Sequence, residues 1–195
     1  MMQNKKLVGI TGGSGCGKSY LSMLLRRRGI PVIDCDLVSR EIMGKDTPCA
    51  KEVVRCFGDE ILENGEINRR ELGKIVFSDP DKLKKLNEIT HKYILSNIYN
   101  RMDKEESNIV CTDGATLIES GIRCDIMVGV LADKEIRKKR IMERDGLSEA
   151  DATLRINAQK DDSFYIENCD FVIYNNSGEI DIDEFIERIA EKGII

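Results

Sequence analysis

Residues 12–19 read Gly12-Gly13-Ser14-Gly15-Cys16-Gly17-Lys18-Ser19. The order of residue types matches G-x-x-x-x-G-K-[ST], a pattern that binds phosphate groups where a strand turns into a helix. The preceding stretch, 6–11, is mostly apolar and predicts a strand, and a helical pattern begins at Gly17. A glycine-rich turn that matches by chance is the alternative, and the strand–turn–helix context argues against it. We therefore expect this loop to bind a nucleoside triphosphate.

Each residue type in the loop has its own chemical reason. Glycines let the backbone curl so that successive N–H groups turn towards a polyphosphate, and the helix N-terminus adds unpaired N–H groups. Lys18 supplies a mobile cation for the β- and γ-phosphates, and Ser19 supplies a hydroxyl ligand for Mg²⁺. The residues expected to bind the nucleotide are Gly13, Ser14, Gly15, Cys16, Gly17, Lys18, Ser19, Tyr20 and Arg144.

Outside the loop, short β-branched runs alternate with helical patterns, which is typical of a parallel α/β sheet. The predicted strands cover residues 6–11, 32–33, 108–112, 126–131 and 171–174, and the last helix has an apolar stripe from Ile182 to Ala190. We expect an α/β fold of the P-loop NTPase type. One domain, 1–195, would contain a five-stranded parallel sheet flanked by helices.

Two long segments interrupt this alternation. Residues 36–105 have little strand character and follow a helical period, so we expect a helical insertion that receives the acceptor. Residues 133–169 are strongly charged, and Ser148-Glu149-Ala150-Asp151 resembles a capping box that opens a helix. We expect this second segment to form a lid over the phosphates, with the helices that follow it.

Composition excludes several classes of protein. The 195 residues have a net charge of −5, which argues against a nucleic-acid partner. No apolar run is long enough for a membrane span, and the first residues lack a signal-peptide core. The seven cysteines are scattered and there is one histidine, so zinc spacing is absent and reduced thiols are expected. We expect a cytoplasmic monomer that acts on a small-molecule substrate.

Missing motifs exclude some classes of protein that bind nucleoside triphosphates. A GTPase would need a guanine-reading N-K-x-D segment, and none is present. Motor ATPases and helicases are usually larger. The small size and the two helical segments favour a kinase of small metabolites, with ATP and Mg²⁺ as its cofactors.

Three aspartates close to predicted strand ends are candidates for the chemistry. Asp34 could orient or deprotonate an acceptor hydroxyl, because open α/β sheets bind ligands at the carboxyl ends of their strands. In the alternative, Asp36 caps the next helix and Asp34 is a turn residue. Asp113 is a candidate for the Mg²⁺ shell, or else a turn residue.

Spacing places Arg137, Arg140 and Arg144 on one helical face. Such arginines could stabilise the charge of a transferring phosphoryl group, or they could belong to a solvated face. Arg140 is the candidate catalytic arginine, beside Lys18 and Asp34. His91, inside a predicted helix, is interpreted as structural.

Cys16 occupies a free position of the loop, where any small side chain would serve. Inward-pointing amides, the helix N-terminus and Lys18 would nevertheless favour its thiolate. We therefore expect Cys16 to react first with an alkylating reagent, and Mg-ATP to protect it.

Beyond the loop, several stretches together resemble the dephospho-CoA kinase family. They are residues 9–19, Gly29-Ile30-Pro31-Val32-Ile33-Asp34-Cys35-Asp36 with Arg40, Phe57-Gly58 with Arg69 and Arg70, Phe77-Ser78-Asp79-Pro80, Leu86-Asn87 with His91, Arg144-Asp145-Gly146, Arg155 with Gln159, and Asp170 with Asn175-Asn176. The chain departs from the family pattern at Asn68, Lys92 and Ala115-Thr116, which stand where aspartate, proline and proline-leucine are usual.

The resemblance implies phosphorylation of the ribose 3′-hydroxyl of dephospho-CoA by ATP. It also implies that Asp34 is the base or orienting carboxylate and that Arg140 contacts the ATP phosphates. The alternatives are a kinase of another nucleotide or nucleoside, which would need the same parts, and a nucleotide-binding regulator that has lost catalysis.

Overall fold

A computed structural model describes residues 5–194; the expectation about a leader segment concerns in part residues 1–4, which lie outside this range. The elements, in chain order, are β1 (Lys6–Thr11), α1 (Lys18–Arg27), β2 (Val32–Asp34), α2 (Cys35–Ile42), α3 (Pro48–Phe57), a 3-10 helix (Asp59–Ile61), β3 (Leu62–Glu63), β4 (Glu66–Ile67), α4 (Arg69–Phe77), α5 (Pro80–Lys104), β5 (Ile109–Asp113), β6 (Ile126–Leu131), α6 (Lys134–Asp145), α7 (Glu149–Asn157), α8 (Asp162–Asn168), β7 (Phe171–Tyr174) and α9 (Ile182–Glu191).

The main sheet has five parallel strands in the order β2-β5-β1-β6-β7, which confirms the predicted fold class. β1 is the central strand and pairs with β5 from Lys6 opposite Ile109 and with β6 from Val8 opposite Ile126. A central strand of a parallel sheet is covered on both faces, which is why β1 is an almost continuous apolar run. The loop that follows β1 therefore begins at the middle of the sheet.

Helices α1 and α9 contact each other and share one core with the strands. Leu21 and Leu25 of α1 and Phe185 and Ile189 of α9 are at most 1% exposed. These pairs are four residues apart, so each helix presents one stripe to the core. This packing holds α1, whose first turn follows the loop, against the core.

By compactness the described chain divides into two units, of which one is Asp34–Arg101 and the other contains the residues before and after it. Asp34–Arg101 is mainly helical and has its own buried side chains, among them Val38, Val53 and Ile61, each fully buried. It also contains the antiparallel pair β3–β4, which the sequence-based prediction lacks.

The charged segment at 133–169 folds as α6, α7 and α8. Ser148 caps α7 as predicted, since its hydroxyl accepts a hydrogen bond from the Asp151 N–H at 3.2 Å. Ile141 of α6 packs with Ala152 and Ile156 of α7 in a small separate core. Within the described residues, no helix has a stretch apolar and long enough to cross a membrane.

Candidate active site

The glycine-rich loop joins β1 to α1 through backbone that only glycine adopts easily. The φ angles of Gly12, Gly15 and Gly17 are 143°, 80° and 102°. A Cβ atom at Gly12 would lie 2.2 Å from the Val130 carbonyl oxygen. Conformation and lack of space therefore both require glycine here.

Lys18 is the first residue of α1 and its side chain lies back across the loop. Its Nζ donates hydrogen bonds to the carbonyl oxygens of Gly12 at 2.7 Å and Gly13 at 3.2 Å. Ser19 follows with an exposed side chain, whereas Tyr20 packs partly against the core. The loop thus holds a cation at its centre, with an exposed hydroxyl next to it in sequence.

Cys16 corrects one expectation. Its side chain is 1% exposed and its Sγ donates to the Gly13 carbonyl oxygen at 2.6 Å. Burial raises the pKa of the thiol, and this outweighs the opposing effects of the nearby Lys18 and Arg137 cations. The expectation of a reactive thiolate at Cys16 is wrong, because the sulfur is part of the core beneath the loop.

Side chains from distant parts of the chain hold the loop in place. Arg137 Nε donates to the Ser14 carbonyl oxygen at 3.0 Å, and Arg140 Nη1 donates to the Gly15 carbonyl oxygen at 3.3 Å. Gln159 Oε1 accepts from the Ser14 N–H at 2.7 Å. These contacts connect the loop to α6 and to the segment between α7 and α8.

The three arginines of α6 have different environments, although the spacing predicts one face. Arg137 is 5% exposed and Arg140 is half-buried, whereas Arg144 is exposed. Arg144 donates through Nε and Nη2 to Asp145, 2.8 Å in each case, and Arg155 reaches the same carboxylate at 2.7 Å. Among the described residues, Arg137 and Arg140 contact the loop, whereas Arg144 contacts Asp145.

Asp34 is the last residue of β2 and also the N-cap of α2. Its Oδ1 accepts a hydrogen bond from the Leu37 N–H at 3.0 Å, and the side chain is exposed. The alternative in which Asp36 caps this helix is wrong, because α2 begins at Cys35 and places Asp36 inside its first turn. Capping by Asp34 fixes its carboxylate at a strand end.

Asp113 ends β5, and its Oδ2 accepts a hydrogen bond from the Ser22 hydroxyl at 2.7 Å. Ser22 belongs to α1 and is 1% exposed, so the carboxylate is oriented by a buried donor. Residues 5–194 contain no group of three or more His, Cys, Asp or Glu side chains that could hold a metal unaided.

In the unit Asp34–Arg101, α5 is tied to α3 by one carboxylate. Glu52 accepts hydrogen bonds from Lys92 Nζ at 2.5 Å and from the Tyr93 hydroxyl at 2.7 Å. Lys92, one of the departures from the family pattern, thus has a structural partner. His91 is partly buried, and burial lowers its pKa.

Gln159 and Asn175 contact the loop, but sequence reasoning assigned them no role. Asn175 is 2% exposed and its Nδ2 donates to the Cys16 carbonyl oxygen at 3.0 Å. A single polar residue produces no periodic pattern in a sequence. The only sign of these two residues is that they lie in stretches that resemble the family. Their contacts arise from the tertiary fold.

Comparison with known proteins extends the match beyond the loop. A family model described as dephospho-CoA kinase matches residues 6–181. The dephospho-CoA kinase of Listeria monocytogenes is 36% identical over 196 residues, covering 95% of this chain and 98% of the relative. That of Arabidopsis thaliana is 38% identical over 192 residues, covering 94% and 82% respectively. A solved dephospho-CoA kinase from Campylobacter jejuni has a TM-score of 0.64 at 26% identity and covers 96% of each chain.

Proposed function

Because the chain belongs to the dephospho-CoA kinase family, we propose that it transfers the γ-phosphoryl group of ATP to the 3′-hydroxyl of dephospho-CoA and so forms CoA. The observation that carries the proposal is the loop after β1 with Lys18 folded across it, within a family match that spans residues 6–181. The loop alone would support many kinases. The length of the match favours this acceptor over another nucleotide or nucleoside.

The loop and α6 supply the groups that bind the triphosphate. Lys18 Nζ can exchange its carbonyl partners in the loop for the β- and γ-phosphates, since an ammonium is a mobile point charge. Arg140, which already contacts Gly15, adds a planar guanidinium for the charge that spreads over the transferring group. Retention of both cations argues against a regulator without catalysis.

Asp34 is the proposed base or orienting carboxylate. As the 3′-oxygen forms its bond to the γ-phosphorus, the bond from that phosphorus to the β-phosphate oxygen breaks, and the proton of the hydroxyl passes to Asp34. Capping through Oδ1 of Asp34 orients the carboxylate at the end of β2. The unit Asp34–Arg101 is the proposed binding region for the acceptor.

Mg²⁺ suits the donors that the chain provides. Ser19 offers an exposed hydroxyl and Asp113 a carboxylate oriented by Ser22, and Mg²⁺ in kinases is held largely by phosphate oxygens and water. When bound, the ion would neutralise charge on the β- and γ-phosphates. We also predict that Tyr20 and Arg144 bind the nucleotide.

The expected setting is the cytoplasm, with the protein acting as a monomer on small molecules. The seven cysteines all lie in the described part of the chain and form no disulfide there, which suits a reducing compartment.

The test is ADP release with dephospho-CoA, AMP, CMP and uridine as parallel acceptors, followed by identification of the phosphorylated position. We expect turnover with dephospho-CoA and a product that carries the new phosphate at the 3′-oxygen. Faster turnover with another acceptor would replace the proposed substrate. ATP binding without turnover on any acceptor would support the regulator instead.

A further inference from the structure

Every polar group of Ser14, in the middle of the loop, is bound by one of two side chains. Gln159 Oε1 accepts from the Ser14 N–H at 2.7 Å, and Gln159 Nε2 donates to Ser14 Oγ at 3.0 Å. Arg137 Nε donates to the Ser14 carbonyl oxygen at 3.0 Å. One residue of the loop is thus fixed at its N–H, its carbonyl and its hydroxyl.

The two side chains that hold Ser14 also hold each other. Arg137 Nη2 donates to Gln159 Oε1 at 3.2 Å, and Arg137 Nη1 lies 3.6 Å from Oδ1 of Asp162 at the start of α8. Gln159 Oε1 therefore accepts two hydrogen bonds while Gln159 Nε2 donates a third. The result is a closed polar network of Ser14, Arg137 and Gln159.

Burial makes this network sensitive to the loss of any member. Arg137 is 5% exposed, and a buried guanidinium is costly unless its N–H groups are satisfied. A Cβ atom at Gly13 would lie 2.2 Å from Arg137 Nη2, so the guanidinium lies directly against the loop backbone. The cation is held in place by the loop and by Gln159 together.

We propose that Arg137 and Gln159 are positioning residues that hold the loop in its phosphate-binding shape before ATP arrives. A loop that is ordered in advance does not have to be ordered by the ligand, so less of the binding free energy is lost. The inference rests on the proposed function to the extent that it takes ATP as the ligand of the loop. It assigns to Gln159 a purpose separate from catalysis, since its hydrogen bonds are to the loop itself.

The first test measures the loop without any ligand. Hydrogen exchange at the Ser14 amide, followed by NMR, should be about tenfold faster in Gln159→Leu, which keeps the size but loses the acceptor. Gln159→Glu should restore slow exchange, because a carboxylate accepts from the Ser14 N–H while the Ser14 hydroxyl turns to donate. Unchanged exchange in Gln159→Leu would overturn the proposal.

The second test measures ATP binding by calorimetry. Gln159→Leu should raise the Kd for ATP about tenfold, which is the loss of affinity expected when a hydrogen-bond partner is removed. Arg137→Met should do the same, and the double variant should lose less than the sum because the two act as one unit. An ATP affinity equal to wild type in Gln159→Leu would show that the network does not preorganise the loop.

The matched control is Lys138→Met. Lys138 also links α6 to α7, through Glu149 at 2.7 Å, and pairs within α6 with Glu135 at 2.7 Å, but its contacts are away from the loop. In Lys138→Met, the affinity for ATP and the exchange rate of the Ser14 amide should stay at wild-type values. If Lys138→Met weakens ATP binding as much as Gln159→Leu does, the effect comes from the contact between the helices and not from the loop network. In turnover assays Gln159→Leu should raise KM for ATP and leave KM for dephospho-CoA unchanged.

These measurements separate the inference from the proposed function. Exchange and ATP binding need no acceptor, so a wild-type protein inactive towards dephospho-CoA would defeat the proposed function alone. An active wild type whose Gln159→Leu variant binds ATP normally would defeat this inference alone.

Discussion

Asn175 Nδ2 donates a hydrogen bond to the carbonyl oxygen of Cys16 at 3.0 Å, joining residues 159 positions apart. Asn175 directly follows β7, and its own backbone N–H donates to the Leu131 carbonyl oxygen at 2.8 Å. A Cβ atom at Gly17 would lie 2.0 Å from Asn175 Nδ2, so the amide and the loop backbone are in close contact. The end of the last strand therefore supports the phosphate-binding loop.

Asn175→Ala should destabilise the protein by about 1–2 kcal/mol, because the Cys16 carbonyl loses its donor in a buried place. Part of the loss is offset because Asn175 Oδ1, buried without a hydrogen-bond partner among the described residues, is removed too. Urea denaturation measures the difference. Asn168→Ala, at an exposed position in α8, is the control and should change stability by about 0.5 kcal/mol or less. Equal effects at the two positions would contradict the role of Asn175.

Lys18→Ala should lower turnover by a factor of about 10³ or more while the fold stays intact. Among the described residues, the side chain donates hydrogen bonds only to loop carbonyls, so it adds little to the core, yet the charge it meets in the transition state is large. Turnover and thermal melting are measured together. The exposed Lys104→Ala should be normal in both, and a Lys18→Ala enzyme with most of its activity would remove Lys18 from the mechanism.

Asp34→Asn should reduce kcat by about 10² with little change in ATP affinity, since the amide cannot take a proton from the hydroxyl. Stability should be nearly unchanged, because asparagine caps helices as well as aspartate does. The exposed Asp36→Asn serves as the neighbouring control. A collapse of ATP affinity in Asp34→Asn would instead assign Asp34 to the metal site.

Arg140→Lys keeps the positive charge and loses the planar donor fork, so turnover should fall about tenfold. Steady-state kinetics at saturating ATP provide the measurement, with Lys139→Ala on the exposed face of α6 as the control. Full activity of Arg140→Lys would mean that only the charge of the residue matters.

Alkylation should begin at Cys56, the exposed thiol in α3, and not at Cys16. The thiolate is the reactive form, and burial raises the pKa of Cys16, that of Cys169 to about 11 and that of Cys111 to about 12. Cys169 and Cys111 are therefore neutral thiols at pH 8, and their labelling should increase only as the pH approaches those values. Cys16 is also shielded from the reagent, because its side chain is 1% exposed. Peptide mapping at pH 8 checks the order, and Cys56→Ser should remove the fast phase. Early labelling of Cys16 would restore the original expectation.

The sheet could be predicted because its strands are apolar runs between turn signals. The predicted strand at 32–33 is one residue longer in the structure, and the strand predicted at 108–112 lies one residue later, at Ile109–Asp113. The turn of the β3–β4 hairpin could also have been predicted from the sequence. Its turn residues Asn64 and Gly65 have φ angles of 53° and 79°, as in a two-residue type I′ turn, for which Asn-Gly is the usual signal. The strands flanking that turn are two residues each and contain glutamates, so they lack an apolar pattern.

The parts of the candidate site that are local in sequence could be predicted, and the parts that depend on distant contacts could not. Helical spacing places Arg137 and Arg140 on one face, but it does not show that Arg137 is buried against the loop. The link from Gln159 to Ser14 spans 145 positions and follows no periodic pattern. Cys16 shows the same limit, because the local field favours its thiolate while tertiary burial opposes it more strongly.

The central place of β1 in the sheet has a consequence for synthesis on the ribosome. β1 starts at Lys6, but its neighbours begin at Ile109 and Ile126, so the strand has no sheet partner until Ile109 and the residues after it have been translated. Pairing across such a sequence distance is slow, and an unpaired apolar strand is prone to aggregation while it waits. The nascent chain therefore carries β1 unpaired until β5 has been made, and a chaperone that shields residues 6–11 during this interval would protect the yield of folded enzyme.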